Sequence, residues 1–323
     1  MTRVGAGTAR TLLAFAGILL ANFALLHLAG ADWLPEGSGP GSTLDREQIE
    51  LHVETVRGHY GFDRPLFSRF GTWIARVARL DFGESTRELR PVVDVIGDAW
   101  RPTLLLQGAA MLVMLAAGIP LGVLLATRAD SLLDRLATAS LFGVYSVPAF
   151  WSGTLLLVWL ATDAGFALFP LAGLESDDPS ERGALDTLSH LVLPVCVLTL
   201  PGLVVITRLV RASMIETLDA DHIRAAVAAG VSRRTATWRL ALRSALVPVV
   251  TAMGSMLPEL VVGSIVTERL FAIAGLGTLT WDSTMARDLP VLQALMLMTA
   301  VTVLIGFRLA DVAASRLDPR TRR

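Results

Sequence analysis

The sequence contains no lysine; all 28 of its basic side chains are arginines. That absence has chemical force. A Walker A loop ends in Gly-Lys-Ser/Thr to hold nucleotide phosphates, so the chain cannot bind nucleotide through that motif. Schiff-base chemistry on a lysine amine is excluded with it. There is one cysteine, Cys196, and one cysteine forms neither an intrachain disulfide nor a cysteine metal cluster. Set in an apolar run, it reads as a small packing side chain. The five histidines, His27, His52, His59, His190 and His222, show no His-Glu-x-x-His spacing, and no metal site is expected. No nucleophile and base stand together within the apolar runs, which argues against an intramembrane enzyme. The formal net charge is −1, so no global basic field points to nucleic acid.

Apolar surface is what the chain has in abundance. Hydrophobic residues make up 53% of it and mean hydropathy is +0.57. They come in blocks of about 20, the length that crosses a bilayer core. The expected fold is therefore an all-α integral membrane protein of six transmembrane helices. These are placed at Thr11–Ala29, Thr103–Thr127, Leu136–Ala161, Leu191–Leu209, Leu246–Val266 and Leu289–Ala310. The first run exceeds a signal-peptide core of about 7–15 residues, so it is read as an uncleaved span. The chain divides into residues 1–30 (N-terminus and first span), 31–101 (extracytoplasmic or interfacial), 102–315 (a five-helix core) and 316–323 (a tail). In the second segment, helical spacing predicts an amphipathic helix over Asp45–His59. A second should start near Pro65, with Phe67, Phe70, Ile74 and Val77 on one face. Such helices suit either the membrane interface, in contact with lipid, or the base of the bundle.

Arginine placement sets the orientation. The N-terminus, the 128–135 turn, the 208–243 loop and the tail are basic. The 162–189 loop carries six acids (Asp163, Glu175, Asp177, Asp178, Glu181 and Asp186) against Arg182 alone. Both termini are expected in the cytoplasm. Within the spans, Pro120, Pro148, Pro194, Pro201, Pro248 and Pro258 read equally well as hinges or as static kinks.

The 208–243 loop stands out. From Thr207 to Pro248 the chain carries seven arginines: Arg208, Arg211, Arg224, Arg233, Arg234, Arg239 and Arg243. Asp221 is placed to cap a short helix over His222–Ala229, and Gly230 to stop it in the left-handed conformation. Ile223, Ala226, Val227 and Gly230 recur at spacings of three and four and make a narrow apolar ridge. Ser232 can cap a second helix running through Trp238 and Leu242 into the fifth span. Two readings fit: a docking surface for a soluble partner, or a connecting helix packed on its own bundle. Deep in the fifth span, Glu259 follows Pro258. A charge at the bilayer centre costs at least about 2.5 kcal/mol, so Glu259 should face water or the bundle interior. It either lines a translocation path and attracts cationic cargo, or pairs with an arginine of this or a partner subunit.

Several stretches resemble the permease subunits of ABC-type importers, in the dipeptide, oligopeptide and nickel branch. The general signature of those permeases is Glu-Ala-Ala, three residues, then Gly. Here it reads Arg224-Ala225-Ala226, Val227-Ala228-Ala229, Gly230, with the arginine usual in the peptide branch. Arg211-Ala212-Ser213-Met214 precedes it, and Ala241-Leu242-Arg243-Ser244-Ala245-Leu246-Val247-Pro248 follows. Tyr60-Gly61-Phe62-Asp63-Arg64-Pro65-Leu66, Asp81-Phe82-Gly83-Glu84-Ser85, Tyr145-Ser146-Val147-Pro148, Gly275-Leu276-Gly277, Arg287-Asp288-Leu289-Pro290 and Asp318-Pro319-Arg320 extend the likeness over nearly the whole chain. Ala29-Gly30-Ala31-Asp32 keeps only part of the branch's Pro-Gly-Asp-Pro, and Pro258-Glu259 stands where small or apolar residues are usual.

The resemblance implies a type I importer permease fold in a bacterial cytoplasmic (inner) membrane, moving peptides or a related solute, nickel chelate included, by alternating access. It implies a second, related permease as heterodimer partner, an extracytoplasmic solute-binding protein, and two ATPase subunits that hold the ATP and Mg. This chain itself would be no enzyme and need no cofactor. The ATPase-coupling contact would fall on Asp221, Arg224, Ala225, Ala226, Ala229, Gly230, Val231 and Arg234. The rival is an ion-coupled secondary transporter; it needs ionisable residues at the midplane, and only Glu259 qualifies.

Overall fold

The computed structural model describes residues 13–24, 65–176 and 178–317. The described helices are α1 (Leu13–Ala24), α2 (Leu66–Val77), α3 (Val92–Thr127), α4 (Leu132–Tyr145), α5 (Ala149–Leu160), α6 (Ala184–Leu218), α7 (Asp221–Ala228), α8 (Arg233–Ala245), α9 (Val247–Val262), α10 (Ile265–Leu270), α11 (Leu276–Met285) and α12 (Leu289–Leu317). Among the described residues there is no strand beyond one isolated bridge, Glu84 to Pro91. The predicted helix over Asp45–His59 lies outside the described residues.

Three helices, α3, α6 and α12, are long and apolar enough to cross a membrane alone. At about 1.5 Å per residue, the 36 residues of α3 reach well past a hydrocarbon core about 30 Å thick. The other two candidates are broken. The expected third span is α4 and α5, bent by 93°. The break falls at Ser146-Val147-Pro148, where proline supplies no N–H and pushes the residue before it out of the helical region. The expected fifth span is α8 and α9, bent by 47° just before Pro248. It stops at Gly263, whose φ of +69° a side-chain-bearing residue rarely adopts.

The chain divides into two compact units. The first comprises residues 1–102 and 274–304. Its core joins the start of α3 (Val92, Val95, Ile96) to α11 (Leu276, Leu279) and to α12 (Val291, Ala294, Leu295). Phe23 of α1 meets Phe70 edge-on at 5.0 Å and Trp73 at 5.6 Å. The inward face of α2 is thus centred on Phe70 and Trp73, while Phe67 is 92% exposed. Of the predicted stripe, Phe70, Ile74 and Val77 are half-buried and Phe67 falls outside it, with Trp73, the largest side chain of the helix, taking the place against Phe23. Two stretches far apart in sequence meet at buried Asp288. It accepts a hydrogen bond from Ser85 Oγ at 2.5 Å and one from the Thr86 amide at 3.3 Å.

The second unit comprises residues 103–273 and 305–323. Small residues let its helices approach closely. A side chain at Gly122 would stand 2.6 Å from Val210 Cβ, and one at Gly118 would stand 3.0 Å from Ile206. Gly118 and Gly122 thus form a G-x-x-x-G face for α6. Gly254 of α9 likewise abuts Gly306 and Ala310 of α12. Arg211 on α6 grips Asp134 at the start of α4 through two hydrogen bonds of 2.7 and 2.6 Å. Asp134 is 2% exposed. Arg208, one turn earlier, lies 4.7 Å over the Phe142 ring.

Candidate coupling surface and translocation pocket

The short helix α7 sits between α6 and α8 and has few means to hold itself together. Asp221 is not its cap. Ala220 holds the N-cap position in extended conformation, and no side chain bonds the first turn. Asp221 is instead the first helical residue, where its carboxylate complements the helix dipole. The reason is register: the first helical amide bonds run from Ile223 and Arg224 back to the Ala220 carbonyl. The C-terminus follows the sequence expectation closely. Gly230 has φ +97°, its amide donates to the Val227 carbonyl at 3.0 Å, and the Val231 amide donates to the Ala226 carbonyl at 3.1 Å. This is a Schellman closure.

The apolar ridge faces inward. Ile223 is 3% exposed and, with Val227 and Val231, joins a core cluster containing Met214 of α6 and Ala236 and Ala241 of α8. Ile223 and Val227 therefore anchor the helix to its own unit, while Gly230, the last residue of the ridge, is exposed. With it, Asp221, Arg224, Ala225 and Ala229 are exposed. Arg234 is exposed as well, whereas Ala226 and Val231 are half-buried. Of the eight residues singled out for coupling, six are thus exposed and two, Ala226 and Val231, are half-buried. A groove of about 1080 Å³ opens beside α7, lined among others by Arg224, Arg233, Arg234 and Trp238.

Ser232 caps α8 as expected, accepting from the Thr235 amide at 3.2 Å. A π-helical segment over Ala236–Ala241 follows, and buried Ala236, Ala241 and Ala245 seat α8 against the same cluster that holds Ile223. Such a wide turn inside a helix is often found at functional sites.

A second feature lies within the same unit. Pro258 is buried, and Glu259 is exposed to a cavity of about 440 Å³. Gln107 and Met114 of α3, Tyr145 at the end of α4, Gly202 of α6 and Met256 of α9 share its wall. No described arginine forms an ion pair with Glu259. A different acid is buried among apolar helices. Glu268, which falls between the fifth and sixth expected spans, lies in α10 and is fully buried. It accepts from Thr103 Oγ1 at 2.9 Å and from the Ser264 amide at 3.2 Å. The overlooked signal was Ser264 followed closely by Thr267-Glu268, a pattern suited to reciprocal capping. In the first turn of α6, Asp186 accepts from the Ser176 hydroxyl of the preceding loop at 2.5 Å, and His190 Nδ1 lies 3.0 Å from the Asp186 carbonyl. Bonds from the Ser180 amide and hydroxyl hold the Asp178 carboxyl below the ordinary aspartate range, so this loop keeps its negative charge.

Residues 118–323 match the family described as binding-protein-dependent transport system inner membrane component. The chain belongs to that family. It is 34% identical over 306 residues to the oligopeptide transport system permease protein AppB of Bacillus subtilis, covering 94% of each chain. It is 34% identical over 312 residues to the probable peptide ABC transporter permease protein y4tP of Sinorhizobium fredii, covering 96% of this chain and 95% of the relative. To the dipeptide transport system permease protein DppB of Escherichia coli it is 31% identical over 326 aligned residues, covering 95% of each. As an inner membrane component of this family, the protein is a membrane subunit of an ABC importer, resident in the cytoplasmic membrane. Membership does not favour the ion-coupled alternative.

Proposed function

We propose that this permease carries peptides inward by alternating access, driven by ATPase subunits that dock on the outer face of α7. The observation that supports this most directly is the division of α7 into two faces. Arg224, Ala225 and Ala229 are exposed, while Ile223 and Val227 are fixed to the cluster that also holds α6 and α8. A push on the outer face then moves a packed body and not a loose loop, and α8 passes the motion to α9. The three named relatives are oligopeptide, dipeptide and probable peptide permeases, which supports a peptide as cargo. The absence of a Walker A sequence supports nucleotide binding by partner chains, two ATPase subunits with their ATP and Mg. A solute-binding protein delivers cargo at the outer face, and a related permease supplies the other half of the path.

Arginine distribution supports six spans with both termini inside, which puts α7 in the cytoplasm. The described helices account for up to five spans by length and composition, and α1 would supply the sixth. In this reading residues 31–101 face outward and 102–315 form the transport core. Asp221 and Arg234 flank the contact, Ala226 and Gly230 shape it, and Val231 seats it. Ala229→Trp places bulk on the exposed side of α7 without touching the anchor. In membranes co-expressing all subunits, it should abolish capture of the ATPases and ATP-dependent uptake, while the melting temperature of the purified permease stays within a degree or two. Full ATPase capture by this variant would exclude α7 as the docking element.

A further inference from the structure

The cavity beside Glu259 has the character of a binding site. Its walls all come from one compact unit. Gln107 is 7% exposed and lines the cavity, and no described side chain or backbone group bonds its amide. Its amide atoms are open to the cavity, where a ligand or water can bond them. Glu259 faces the same space with no cationic partner among the described residues. Tyr145 lines it, and Met111, Met114 and Met256 supply adaptable apolar wall. Gly202 lets α6 come up against the Met114 sulfur, which a side chain there would displace. The volume, about 440 Å³, lies in the range of small-molecule sites.

From this arrangement we infer that Glu259 and Gln107 form a cargo-selecting site in the translocation path, one that prefers a peptide bearing a protonated amine side chain. The carboxylate meets the ammonium group, the Gln107 amide bonds a peptide carbonyl or amide, and the methionines accept the aliphatic stem. A basic side chain has an apolar stem and a charged head, which is the pattern these walls offer. The site rests on the importer reading above, because an acid in a span is accommodated when it faces a path that holds water or cargo. A neutral cargo of the same shape would still pass, but without the charge contact.

The test uses the complete transporter in proteoliposomes with its solute-binding protein. Two peptides of equal length differ at one position, lysine against norleucine, and each peptide's affinity for the isolated binding protein is measured separately. Glu259→Gln should lower uptake of the lysine peptide about tenfold relative to the norleucine peptide, about 1.4 kcal/mol of discrimination. Glu259→Asp should keep most of the preference, and Gln107→Leu should lower uptake of both. ATPase activity stimulated by the binding protein should persist in Glu259→Gln, which shows that the complex is assembled. An equal change for both peptides, or loss of assembly in Glu259→Gln with normal assembly in Glu259→Asp, would overturn the inference, the latter by assigning Glu259 to a subunit contact. Uptake by the unaltered transporter that needs no ATP would instead remove the importer reading itself.

Discussion

Arg211 and Asp134 show how far a single pair can constrain this protein. Asp134 has a side-chain exposure of 3% and Arg211 of 28%, so the carboxylate is the more deeply buried partner. Removing the arginine strands a buried charge, which costs about 3–5 kcal/mol. Removing the acid leaves a guanidinium that water still reaches, at a smaller cost. Arg211→Met should therefore lower the melting temperature in detergent more than Asp134→Asn, and the double variant should recover most of the loss. Additive losses would mean that the pair is not coupled. From the sequence, Arg211 was legible only as part of a family-like Arg-Ala-Ser-Met. Its partner, 77 positions away, follows from the packing of α4 against α6. Glu268 makes the same point, since in sequence it adjoins a loop and in space it is sealed by Thr103 and Ser264.

At the scale of the element, α7 is an eight-residue helix that owes its existence to its ends and its anchor. Isolated helices this short are unstable in water. Its stop signal was readable, because left-handed φ favours glycine and Gly230 stands where the apolar ridge ends. A side chain added at Gly230 would meet nothing within 4 Å, so substitution acts through backbone conformation alone. Gly230→Ala should cost about 1–2 kcal/mol locally. Hydrogen exchange at the Gly230 and Val231 amides should quicken by about tenfold, with global melting nearly unchanged. Exchange rates equal to the unaltered protein would show that the positive φ is not required. The direction of the ridge was not readable. Ile223 and Val227 fit a docking face and a packing face equally well, and the choice was made by Met214 and Ala236, which are brought to them by α6 and α8. The bends at Pro148 and before Pro248 were legible as proline positions, but whether a helix kinks slightly or breaks through 93° depends on what packs at the break.

For the whole molecule, the arginine pattern predicts which side each loop occupies. In a Cys196→Ala background, Asp178→Cys should react with a membrane-impermeant maleimide in intact cells stripped of outer layers. Arg224→Cys should react only after permeabilisation. Labelling of both from the same side would overturn the six-span arrangement. The structure adds close helix crossings at Gly122 and Gly254. In a membrane, where apolar side chains gain little from mutual burial, such small-residue contacts and buried polar pairs specify packing.

The sequence by itself determined the class, the solvent and the family. Blocks of about 20 apolar residues exclude a soluble domain, the missing lysines exclude a Walker A site, and the Arg-Ala-Ala to Gly spacing with its flanking motifs carries the resemblance that the family match bears out. These properties are local or compositional and survive in one dimension. Tertiary structure decided which side of α7 is free, that the third and fifth candidate spans are broken, that buried Asp134, Glu268 and Asp288 find partners, and that Gln107 and Glu259 share one cavity. Each of these depends on groups far apart in the chain meeting within a few ångströms, and periodicity along a single helix carries no record of what lies across from it.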